Sequence, residues 1–136
     1  MIKQTARSVL AIYLAWNVLE FVLHGVILKP TYLATTELWR PLGEWKYGVG
    51  QVVMAVSAAA FALLYVRLIG NKCLRTALCY GFLFGIMGGA VAGYGTYSAR
   101  PIPHHVALTL FFAKLIKMTL ASLIVGMIVR PRVAEA

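Results

Sequence analysis

Between Thr76 and Tyr97 the chain reads TALCYGFLFGIMGGAVAGYGTY, a largely apolar stretch with glycine at 81, 85, 88, 89, 93 and 95. At 100° per residue, Gly81, Gly85, Gly88, Ala92 and Gly95 fall within about 80° of one another, and Gly89 and Gly93 widen that stripe. Each glycine costs a helix in water about 1 kcal/mol relative to alanine, so this segment would not hold together there. In a bilayer the backbone must satisfy its own hydrogen bonds. The helix then forms regardless, and its bare face admits a neighbouring backbone. The rest of the chain is expected to pack on that face.

A bilayer is also what the composition demands. Of 136 residues, 61% are hydrophobic and 12% charged, too little polar surface to cover a soluble globule. The formal charge of +9 does not point to nucleic acid, because the basic residues are spread along the chain and gather at the ends of apolar runs. Aspartate is absent, and the glutamates are Glu20, Glu37, Glu44 and Glu135, which excludes a carboxylate-rich metal cage or a paired-carboxylate hydrolase. Cys73 and Cys79 read as free thiols.

The expected fold is an all-α integral membrane protein, a single four-helix domain over residues 1–136 with a glycine-rich third helix. Its spans run from Ser8 to Leu28, Gly48 to Val66, Thr76 to Tyr97 and Val106 to Val129, each about long enough to cross. The first follows a short basic leader but carries Glu20 and His24 and lacks a small-x-small cleavage site, so it reads as an uncleaved span. The connection from Pro30 to Lys46 is polar and aromatic, with Tyr32, Trp39, Trp45 and Tyr47 suited to the headgroup level, either as a surface loop or with a short helix from Tyr32 to Trp39. The second span carries Ala55, Ser57, Ala58, Ala59, Ala60 and Ala62, the expected partner of the glycine face. Pro131 suits a stop after the fourth. Lys3, Arg7, Arg67, Lys72, Arg75, Arg130 and Arg132 fall on one side, against Lys29, Arg40, Lys46 and Arg100 on the other, which puts both termini in the cytoplasm.

Chemistry, if present, lies in the first span. Tyr13, Asn17, Glu20 and His24 are spaced 4, 3 and 4, within about 60° of one another on one helix face. Counting about 1.5 Å per residue, Glu20 lies roughly 12 Å and His24 roughly 6 Å below the end near Leu28, while Lys114 lies roughly 13 Å and Lys117 roughly 18 Å below His105. Glu20 and Lys114 are therefore level, Lys117 is level with Asn17, and an ion pair from Glu20 to one of the two lysines is expected. His24 facing His104 or His105 across the bundle is a weaker arrangement, for a metal or haem. The glycine stripe reads as helix packing, or as a groove for a lipid or quinone. No cofactor is otherwise expected.

The run Asn17-Val-Leu-Glu20-Phe21-Val-Leu-His24-Gly25 resembles the Asn-x-x-Glu-Phe-x-x-His-Gly signature in the first helix of small four-helix bacterial membrane proteins of the domain-of-unknown-function type. The resemblance implies a multi-pass protein of the bacterial cell inner membrane and no defined activity. In those relatives the fourth helix often carries an acidic residue near the position of Lys117, so the intramembrane pair has changed character here.

Catalysis is not expected. No nucleophile has a base and an orienting group at recognisable spacing, and the segments outside the membrane are too short to build a pocket. Two classes remain: a structural or accessory subunit packing against other membrane subunits and lipid, or a small homo-oligomeric transporter or channel moving protons or ions through Glu20 and His24. An excess of buried cation, Lys114 and Lys117 against Glu20, favours the first. A clean symmetric oligomer in mild detergent would favour the second.

Overall fold

The computed structural model describes residues 1–129 and is all-helical, with short connections and no strand among the described residues. Residues 130–136, including Arg130, Pro131, Arg132 and Glu135, lie outside the described part, and with them the proline stop and two charges of the orientation count. Helix α1, Ile2–Val22, continues through a π-helical turn, Leu23–Ile27, into the short α2, Lys29–Ala34. Helix α3 spans Tyr47–Leu68. Helix α4, Leu74–Gly89, passes through a second π-helical stretch, Ala90–Gly95, into the closing turn α5, Thr96–Ala99. Helix α6 is His104–Ile128. Four stretches, Ile2–Ile27, Tyr47–Leu68, Leu74–Ala99 and His104–Ile128, are long and apolar enough to cross a membrane, the layout of a multi-pass membrane protein. Between α2 and α3 the chain makes two 3₁₀ turns, Thr36–Leu38 and Leu42–Glu44, so the short helix expected from Tyr32 to Trp39 ends at Ala34.

The partner of the glycine face is α6, not the second span. A Cβ built on Gly85 would lie 2.9 Å from the Leu115 Cα, one on Gly89 2.7 Å from the Phe111 carbonyl oxygen, and one on Gly81 2.6 Å from the Met118 carbonyl oxygen. Gly93 meets the Ala107 carbonyl, and Gly126 of α6 returns the fit against Ala77 of α4. The seam is thus the row 77, 81, 85, 89, 93, one residue in four, which a helix presents obliquely to its axis. Gly88 belongs to the angular stripe but not to this row, and a Cβ there would meet nothing within 4 Å. An angular stripe runs parallel to the axis, whereas a ridge of i±4 residues inclines across it.

The second span packs elsewhere. Ala58 and Ala62 are buried with Phe61, Tyr65 and Val66, while Ala55, Ser57 and Ala60 are exposed. These buried residues join Ile12 and Trp16 of α1 and Ala121 and Val125 of α6 in the main core, and Trp16 meets Phe61 edge to face at 6.0 Å. Phe61 and Tyr65 touch Tyr80 of α4, whose hydroxyl donates to the Phe61 carbonyl at 2.9 Å. Small and aromatic residues therefore hold the interior, and Leu14, Val18, Val52, Val56, Leu83, Met87, Phe112 and Ile116 point outward. Burying apolar bulk gains nothing against lipid tails, so helices associate through close approach and polar bonds instead.

Candidate functional site: the Glu20 cluster

Of the four polar residues aligned along the first span, Glu20 faces α6, His24 turns to Glu20 and Tyr32, and Tyr13 and Asn17 turn to α3. The Tyr13 hydroxyl donates to Gln51 Oε1 at 2.5 Å, Gln51 Nε2 donates to Asn17 Oδ1 at 2.9 Å, and Asn17 Nδ2 donates to the Tyr13 carbonyl at 2.9 Å. This closed amide network cross-links the first two spans. Gln51 was not singled out in the sequence, although an amide in an apolar run is the signal that could have found it.

Glu20 is the only carboxylate in the four spans. Its Oε1 accepts from the ammonium of Lys117 and lies 3.7 Å from that of Lys114, and its Oε2 pairs with His24 Nε2 at 2.9 Å. Lys117 is the primary partner, although its Cα sits deeper than that of Glu20. Side chains lean toward the N-terminus of their own helix, so in the antiparallel pair α1 and α6 the carboxylate leans down and the lysine leans up, closing the gap in depth. The Lys117 ammonium also sits 4.7 Å above the Trp16 ring, a cation–π contact, and the Trp16 indole N–H donates to the Lys117 carbonyl at 3.0 Å. Trp16 is one turn before Glu20, a position that its apolar character hid.

His24 lies in the first π-helical turn, where the Leu28 N–H bonds back to the Leu23 carbonyl at 2.8 Å. Such turns shift the helix phase and recur at functional sites. His24 Nδ1 is 2.6 Å from the Tyr32 hydroxyl. In the neutral ring, with Nε2–H directed at the carboxylate, Nδ1 is the acceptor and Tyr32 donates to it. Burial and the nearby Glu20 charge push the Tyr32 phenol up to about 12, so it stays protonated as a donor. Tyr32, read from the sequence as a headgroup anchor, is thus the fourth member of a continuous chain: Tyr32, His24, Glu20, Lys117. Trp39 and Trp45 pack edgewise on Tyr32 at 4.9 and 5.5 Å and cover that end of the chain.

The cluster opens sideways. A cleft of about 120 Å³ between α1 and α6, lined by Leu19, Glu20, Leu23, Lys114, Ile116 and Lys117, faces the outside of the bundle. The Lys117 side chain is 9% exposed, whereas that of Lys114 is 30% exposed. With His24 neutral the cluster carries one net positive charge.

The three histidines do not form one site. Both His24 nitrogens are engaged, His104 packs against Tyr94 and Tyr97, and His105 sits 3.4 Å from the Thr31 hydroxyl. Among the described residues no group of three His, Cys, Asp or Glu side chains could hold a metal ion. Along the glycine face, Gly81, Gly85, Gly89 and Gly93 are covered by α6, whereas Gly88 is open.

No protein-family model, curated protein or solved structure matches this chain.

Proposed function

We propose that this protein is a small, non-enzymatic accessory subunit of a larger assembly in the bacterial inner membrane, with both termini cytoplasmic, docking through the face between α1 and α6. One observation carries the reading: two ammonium groups converge on one carboxylate oxygen, and the outer of them, Lys114, stands in a cleft open to the surroundings of the bundle. A surplus cation at that depth costs several kcal/mol unless an anion meets it. Among the described spans no second carboxylate exists, so a neighbouring subunit's membrane-embedded acid is the fitting partner. The outward Leu, Val and Phe side chains meet lipid over the rest of the surface.

Purification in mild detergent tests this. The wild-type chain should carry a stoichiometric companion subunit, and Lys114→Met should lose it while remaining folded. A symmetric homo-oligomer whose composition Lys114→Met leaves unchanged would overturn the reading. The unbroken chain Tyr32, His24, Glu20, Lys117 favours a second one, a homo-oligomeric proton or ion path. It predicts proton flux in reconstituted vesicles that His24→Ala abolishes.

A further inference from the structure

Toward the other end of the bundle, α1 and α3 leave a groove of about 710 Å³ between Met1 and Tyr13 on one side and Ala55 and Arg67 on the other. Each edge advances by 12 residue steps, about 18 Å at 1.5 Å per residue, against about 15 Å for the hydrocarbon of one leaflet. Small side chains, Ala6 and Ala55, give the groove its depth, and Val9 and Leu63 supply apolar walls. Its inner end stops at Tyr13, which bonds Gln51 across the two helices. Its outer end stops at Arg67, which is exposed.

The charge at that outer end is of one sign. Lys3, Arg7, Arg67, Lys72 and Arg75 lie there with no acidic residue among the described residues, whereas at the opposite end Glu37 and Glu44 offset half of the charge of Lys29, Arg40, Lys46 and Arg100. We infer that the groove binds one anionic phospholipid, its acyl chain lying along Ala6 and Ala55 and its phosphate held by Arg67 at the mouth, with Lys3 adding positive charge from the same end of the bundle. A second copy of this chain fits less well, since a parallel copy would bring the same five cations to the same end. The anion answers both halves of the site, an apolar slot of one leaflet's depth and a basic mouth. This inference is independent of the α1/α6 docking face and stands or falls separately.

Native mass spectrometry of the full chain in neutral detergent provides the test, with phosphatidylglycerol or phosphatidylcholine of the same acyl chains added at equal concentration. The phosphatidylglycerol adduct should be retained preferentially. Arg67→Gln with Lys3→Gln should weaken it by about fivefold per cation removed, as an anionic surface rewards each basic residue. Ala55→Phe should weaken binding of both lipids by filling the slot, and Lys29→Gln with Lys46→Gln at the opposite end should change nothing. Arg67, Lys3 and Ala55 are all exposed, so these changes leave the core intact. Equal retention of the two lipids, or phosphatidylglycerol binding indifferent to Arg67→Gln with Lys3→Gln, would overturn the inference. So would a dimer that Ala55→Phe dissociates, because a second chain would then occupy the groove.

Discussion

Glu20 is held by three groups of different kinds: the buried ammonium of Lys117, the half-buried ammonium of Lys114 and the imidazole of His24. Removing one partner of a buried pair typically costs about 3 to 5 kcal/mol, because the other charge is left without compensation, whereas removing both can be nearly neutral. Glu20→Gln should therefore lower thermal stability in detergent strongly. Lys117→Met in that background should restore most of the loss, since Lys117 is the enclosed cation, and Lys114→Met should restore less, since Lys114 can turn to water, headgroup or partner from its cleft. Equal rescue by the two lysine changes would refute the ranking. Tyr32→Phe should leave the ion pair standing but free His24 Nδ1, and a changed His24 Nδ1 chemical shift by 15N NMR reads that directly; an unchanged shift would mean that the Tyr32 contact is not made.

At the scale of the element, α4 and α6 form the seam to which the other helices attach. Gly85 faces the α6 backbone and Gly88 faces open space, three residues away on the same helix. Overpacking usually costs about 1 to 3 kcal/mol, and more where backbone rather than a side chain must move. Gly85→Leu should thus abolish or severely destabilise the fold, while Gly88→Leu should be tolerated with nearly wild-type yield and melting temperature. Comparable losses for both would mean that the axial stripe, not the oblique row, is the contact. The small residues of α3 divide in the same way, with Ala58 and Ala62 in the core and Ala55, Ser57 and Ala60 outside it.

At the scale of the whole molecule, the alternating spans put the connection after α3 on the same end as the start of α1. Cys73 reports on that end. It occupies the position just before α4, is exposed, and its thiol is held below the usual range by hydrogen bonding to Thr76, whose hydroxyl is 3.1 Å from Sγ. In a Cys79→Ser background, a membrane-impermeant maleimide should label Cys73 in inverted vesicles and not in intact cells, and Thr76→Val should slow labelling at neutral pH because less thiolate is present. Labelling in intact cells would reverse the proposed orientation.

The sequence alone determined what a bilayer imposes on any chain. Four apolar runs of sufficient length must be helices, since no other open structure satisfies the backbone there. Glu20, Lys114 and Lys117 had to find one another, since charges at matching depth have few other partners. The tertiary structure alone decided which face of a helix meets which neighbour. Periodicity places residues around an axis but not along a crossing direction, so the glycines could not reveal that α6 lies along the row 81, 85, 89, 93 or that Gly88 is left over. Counting residues gives the depth of a Cα and not the lean of its side chain, which is why Lys117 and not the level Lys114 is the closer partner. Tyr32, Trp16 and Gln51 join their networks across helices, through a π-helical turn and contacts that no local spacing encodes.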